Sequence, residues 1–173
     1  SNTFMFERHF EFGGLLIEGH PVNAAKLRSN RGVNSTAAPP RRAGRGRNHI
    51  VGEAVCAGSG YVTYIGGAGG GTAGAMEHMS KSYLDTWQRR FKHAQNYTVP
   101  CRPIGGMIRD AGISHVDFFS LDVEGAELTV LQTMDWSVSV GLWMIEADGH
   151  DKKNDDAVTE LLAKHGYYRN RKV

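Results

Sequence analysis

Asp122, Glu124 and Glu127 put three carboxylates within six residues, directly after the apolar run Val116-Asp117-Phe118-Phe119-Ser120-Leu121. Carboxylates so placed can accept hydrogen bonds from ligand hydroxyls or take a proton from one. Asp122 closes the run and is the best functional candidate of the three. Glu124 follows one strand period later and shares its direction if the chain stays extended. Glu127 falls where a helix should begin, so stabilising the positive helix end is an equal alternative for it. A second group, Glu146, Asp148 and His150, follows the run Leu142–Ala147. His150 titrates near neutrality and can act as a base toward a hydroxyl. The oxygens of this group could instead hold Mg²⁺ or another divalent cation, although no spacing forces two of them together. Glu18 ends the shorter run Leu15-Leu16-Ile17. An acid there can accept from both hydroxyls of a ribose, and a surface carboxylate beside the turn Gly19-His20-Pro21 is the plain alternative.

Strands and helices must alternate to present these groups together. A near-continuous apolar run such as 116–121 suits a strand buried on both faces of a parallel sheet. In open α/β sheets ligands gather beyond the carboxyl ends of such strands, where all three candidate groups fall. The pattern predicts a helix over Ser1–Phe10, a strand at Leu15–Glu18 and a helix from Pro21 to about Asn30. Ile50–Cys56 reads as a third strand, and Tyr61–Ile65 as a strand or hairpin arm. Met76, Met79, Tyr83, Leu84, Trp87 and Phe91 recur at helical spacing and predict one amphipathic helix. Further helices are expected from Pro103 to a stop at Gly112, over Glu127–Met134, and over Asp156–His165 with Gly166 as terminator. Tyr167-Tyr168 reads as the start of another strand.

Two motifs compete for attention. Gly69, Gly71 and Gly74 spell G-x-G-x-x-G, which would suit a dinucleotide. The acid expected about 20 residues on is missing, so a flexible loop or lid is the better reading. Residues 31–49 carry Pro39-Pro40 and arginines at 41, 42, 45 and 47. Such a tract could hold RNA phosphates, but it lacks interleaved aromatics, and a solvated basic insertion is favoured. The chain's 173 residues suit one domain, and a net charge of +2 requires neither a nucleic acid nor a membrane partner. No run approaches 18 apolar residues. Cys56 and Cys101 each end a short apolar run and read as buried free thiols, with a disulfide between neighbouring strand ends as the alternative.

The acidic strand, ending in Asp-x-Glu-Gly-x-Glu, resembles the signature of the FkbM-type methyltransferases. Ser1-Asn2-Thr3, Gly14-Leu15-Leu16-Ile17-Glu18, Val99-Pro100-Cys101-Arg102-Pro103, Thr133-Met134-Asp135-Trp136 and Glu146-Ala147-Asp148-Gly149-His150-Asp151 fall in that family's order. The resemblance implies a doubly wound, Rossmann-like α/β sandwich that uses S-adenosylmethionine (SAM) to methylate a hydroxyl. The acceptor it implies is a sugar or another polyhydroxylated small molecule. It assigns Glu18 to the cofactor ribose, Ser1 and Asn2 to its amino-acid end, and Ala54, Val55 and Cys56 to the adenine. Asp122, His150 and Glu124 are left for catalysis. A nicotinamide-dependent oxidoreductase and a non-catalytic RNA- or ligand-binding module are the alternatives. The family's Gly-rich loop and the strand before it would precede Ser1, so an N-terminally (and, at Tyr167-Tyr168, C-terminally) truncated sandwich is expected. In the order 3-2-1-4-5 that strand lies between those carrying Glu18 and Asp122, which predicts a gap of roughly 9–10 Å, poor folding and no SAM affinity in these 173 residues.

Overall fold

The computed structural model describes residues 3–32, 48–66, 73–78, 95–147, 149 and 151–170. The elements run α1 (Phe4–Phe10), β1 (Leu15–Ile17), α2 (Pro21–Arg31), β2 (His49–Val51), β3 (Ala54–Val55), β4 (Gly60–Gly66) and β5 (Ala73–Ala75). After a 3₁₀ turn at Met76–His78 come β6 (Gln95–Arg102), α3 (Ile104–Asp110), β7 (His115–Leu121), α4 (Glu127–Gln132), β8 (Ser139–Ile145) and α5 (Lys152–Lys164). The result is a mixed α/β architecture. Its strands form three sheets among the described residues: parallel β1–β2, parallel β7–β8, and a four-stranded sheet in the order β3-β6-β4-β5.

Local chemistry explains most boundaries. Pro21 opens α2 at a position where no N–H is needed. Gly112, at φ 67°, stops the segment after α3. Asp151 caps α5 by accepting from the Asn154 N–H at 3.2 Å, which starts the helix four residues before the expected Asp156. The run Ile50–Cys56 is not one strand. It breaks at Gly52-Glu53, so β2 pairs with β1 while β3 pairs with β6. Strand β6 contains Pro100, a residue that central strands exclude. Along most of its length, however, it has a partner on one side only, since β3 accompanies just Cys101 and Arg102. No strand forms at Tyr167-Tyr168. Instead the Tyr167 hydroxyl accepts from the Val140 N–H at 3.0 Å, and its ring stands edge-on to Trp143.

The main core joins α3 (Ile104, Ile108), β7 (Leu121), α4 (Val130, Leu131), β8 (Val140) and α5 (Val158), with Leu15, Ile17 and Val55 packed against it. Strand β1 therefore shares a core with β7 although no backbone bond joins them. Strand β7 is not buried evenly on both faces. Phe119 stacks on Trp143 at 4.4 Å within the core. Phe118, on the other face, meets Phe6 of α1, but its neighbours Leu142 and Met144 are exposed.

A smaller core of Ala54, Cys56, Val62, Ala75, Val99 and Cys101 lies within the four-stranded sheet. The two cysteines form a disulfide, so the free-thiol reading is overturned: the parallel pairing of β3 with β6 brings their Cα atoms to 5.6 Å. Closing a loop of 45 residues is worth about 4 kcal/mol in the chain-entropy account. That contribution matters for a sheet whose own core is built from small side chains.

Candidate functional site

Strands β1 and β7 flank a cavity of 640 Å³. Its body is lined by Leu15, Ile17, Val116, Phe118, Ile104 and Ile108, and one end by Glu18, Gly19, Tyr64, Asp122 and Val123. Glu18 and Asp122 each follow the last residue of a parallel-paired strand. Glu18, Tyr64 and Asp122 share the lining, and burial, with the charges of Glu18 and Glu124 adding to it, raises the pKa of Tyr64. The opposite end is closed by a buried polar knot. There Arg31 pairs with Glu7 and donates to the Thr3 hydroxyl, while Asn48 donates to Glu7 and to the Arg31 carbonyl and accepts from the Gly14 N–H.

Glu18 is half-buried and anchored. Its Oε1 accepts the His20 N–H at 2.8 Å, and the Asn23 side chain donates to the same carboxylate. Burial pushes its pKa up, and these two bonds partly oppose the rise. The carboxylate thus braces the first turn of α2 while still lining the cavity, with acceptor capacity left over.

Asp122 is exposed at the cavity rim. Beyond it the chain does not stay extended, so Glu124 does not continue the strand alternation. Glu124 adopts φ 57° and Gly125 φ 101°. Glu127 enforces this turn: it is buried, and its Oε1 accepts from the N–H groups of Val123 (3.0 Å) and Gly125 (3.3 Å). Glu127 thus has a structural role, and it is to clasp the turn before α4 and not only to face the positive helix end. A left-handed non-glycine residue beside a candidate site stores local strain, of order 1 kcal/mol or more, that the surroundings must hold.

Ala54 and Val55 line the same cavity as Glu18. Cys56 does not; its sulfur is committed to the disulfide within the smaller core. Glu53 also lines the cavity and pairs with Arg102 at 2.8 Å, while Arg102 reaches Asp110 with its other edge. Ser1, Asn2, Asp148 and His150 lie outside the described residues. So do 33–47, including the four arginines, together with Gly69, Gly71 and the predicted helix beyond His78. The two ends of the tract 31–49 belong to the scaffold, through Arg31 of α2 and the buried Asn48. Gly74 lies in β5, paired antiparallel with Ile65, so it does not lead from a phosphate loop into a helix.

Two neighbours of Glu18 were missed by the sequence reading. Tyr64 comes from β4, and its ring presses on Gly19 so closely that a Cβ there would stand 2.6 Å from its Cε2. His20 is fully buried with neither ring nitrogen bonded, and it packs edge-on against Tyr97 at 4.8 Å. Burial pushes its pKa down, with Lys26 adding to the effect, so the ring is neutral. A turn motif Gly-His-Pro gave no hint of these contacts, because their partners come from two strands distant in sequence. Among the described residues no group of three or more His, Cys, Asp or Glu could hold a metal ion, and no helix is long and apolar enough to cross a membrane.

A mixed α/β domain with parallel strands delivering acids to the rim of one cavity is the architecture of a ligand-binding α/β enzyme. The family described as the methyltransferase FkbM domain matches residues 1–168. The chain belongs to the FkbM methyltransferase family, and its class of activity is methyl transfer. Comparison with curated proteins and with solved structures gives no match.

Proposed function

We propose that the protein transfers the sulfonium methyl group of SAM to a hydroxyl oxygen of a sugar or another polyhydroxylated small molecule. The observation that carries this reading is the convergence of Glu18 and Asp122, from separate strands, on the rim of one cavity. The charge at that rim also suits the cofactor. Its described lining holds carboxylates, while the one arginine of the lining, Arg31, lies in the knot at the far end. A positively charged sulfonium is favoured there.

In this reading Glu18 accepts hydrogen bonds from the ribose hydroxyls, Ala54 and Val55 flank the adenine, and Ser1 and Asn2 serve the amino-acid end. The bound cofactor supplies an electrophilic methyl group on sulfur. The protein's task is then alignment, together with removal of a proton from a poorly nucleophilic hydroxyl. Asp122 is the proposed base, with His150 as the other candidate and Glu124 beside it. The architecture proposed is doubly wound.

Calorimetric titration of the full-length protein with SAM tests the reading. Glu18→Ala should weaken binding by about 1.5–3 kcal/mol, the worth of a charge-assisted contact. Asp122→Asn and His150→Ala should leave binding intact, and the variant that lacks the base should lose roughly a hundredfold in turnover. A wild-type protein that binds nicotinamide dinucleotide and not SAM would sink the proposal.

A further inference from the structure

The carboxylates explain only half of what a ribose needs. A hydroxyl that donates to Glu18 keeps an oxygen lone pair, and burying that oxygen without a donor costs free energy. Asp122, the other acid at the rim, accepts when ionised and cannot supply one. Tyr64 can. Its ring lines the cavity next to Glu18 and Gly19, and the position of a Gly19 Cβ would be 3.0 Å from its hydroxyl oxygen. Burial and the adjacent charges of Glu18 and Glu124 keep that phenol protonated. Two further contacts fix its place. Tyr64 is paired across the antiparallel ladder with Tyr97, and Tyr97 is packed against the buried His20 ring. Gly19 and His20, the two residues after Glu18, therefore both dock onto the paired strands β4 and β6. The absence of a side chain at Gly19 is what lets the phenol approach.

The geometry points to Tyr64 and Glu18 as a donor–acceptor pair that reads a neutral vicinal diol, with Tyr64 donating to a hydroxyl oxygen and Glu18 accepting from the hydroxyl protons. This rests on the reading of Glu18 as the ribose group. It adds a residue from a separate sheet and a stated preference for ribose over deoxyribose. It also gives the four-stranded sheet a role, since the disulfide that secures β6 to β3 helps hold the donor in place.

The test is calorimetric titration of the full-length protein with S-adenosylhomocysteine and with its 2′-deoxy analogue, on wild type, Tyr64→Phe, Gly19→Ala and Glu18→Ala. Tyr64→Phe keeps the ring and the packing. It should weaken S-adenosylhomocysteine about fivefold, the worth of a neutral hydrogen bond, and leave the melting temperature unchanged. The deoxy analogue should bind wild type more weakly than the parent ligand, and Tyr64→Phe should narrow that difference. Gly19→Ala, which displaces the ring, should lose at least as much affinity. Equal losses for both ligands in Tyr64→Phe would overturn the assignment, because a packing role does not distinguish them. If Glu18→Ala weakens binding and Tyr64→Phe does not, the role of Tyr64 alone fails. If the wild type binds neither ligand, the ribose reading of Glu18 fails with it.

Discussion

The two walls of the cavity are held by opposite kinds of interaction. The β1–β2 wall has three residues per strand, and Ala24 is the one fully buried apolar side chain in its helix α2. It is fastened by the Glu7–Arg31–Asn48 knot, with Thr3 and Gly14 as further partners. The β7–β8 wall pairs along seven-residue strands and rests on an apolar core that includes Leu131, at 0% exposure. Hydrogen-bonded charges are directional and fail abruptly when one partner is lost, whereas apolar contacts degrade by area. The wall that carries Glu18 should therefore be the more fragile, and the wall that carries Asp122 the more tolerant.

The largest effect should come from breaking the knot. Arg31→Ala leaves the Glu7 carboxylate buried without its cation and should cost about 4 kcal/mol in denaturant unfolding. Amide exchange should accelerate first at Leu15–Ile17 and His49–Val51. If the β7–β8 amides accelerate equally, the two walls are not separable units. Leu131→Ala, on the other wall, should cost about 3 kcal/mol through the cavity it opens. Asn48→Ala removes three hydrogen bonds of the knot and should cost about 2 kcal/mol. Leu131→Met, which nearly conserves volume, should cost under about 1.5 kcal/mol. No equally mild replacement exists for Arg31, since lysine cannot reproduce its planar fork.

The smallest effect is electrostatic. Burial raises the Glu18 pKa above 4.5 in the folded protein, so the folded state holds its proton more tightly than the unfolded chain. The Glu18 contribution to stability is thus fully present below pH 4.5, and it declines as pH rises toward the folded pKa. Ligand affinity through ionised Glu18 should move the other way, increasing across that window. A Glu18→Gln variant should lose both dependences in paired unfolding and titration measurements. Retention of the affinity slope in that variant would assign it to another acid at the rim.

Much of this was legible in the residues themselves. Pro21, Gly112 and the apolar spacing of β7 determined local elements, because backbone preference and periodicity act over a few residues. The family followed from the acidic motif after Leu121, and Glu18 and Asp122 were placed at strand ends by the alternation of elements. Other features depended on partners far away in sequence. Two cysteines 45 residues apart become a disulfide only because β3 and β6 lie side by side. Tyr64 becomes a neighbour of Glu18 only when β4 docks on Gly19. Short-range preferences are written into the sequence directly, but whether two distant side chains meet is decided by how separate sheets pack, and that required the tertiary structure.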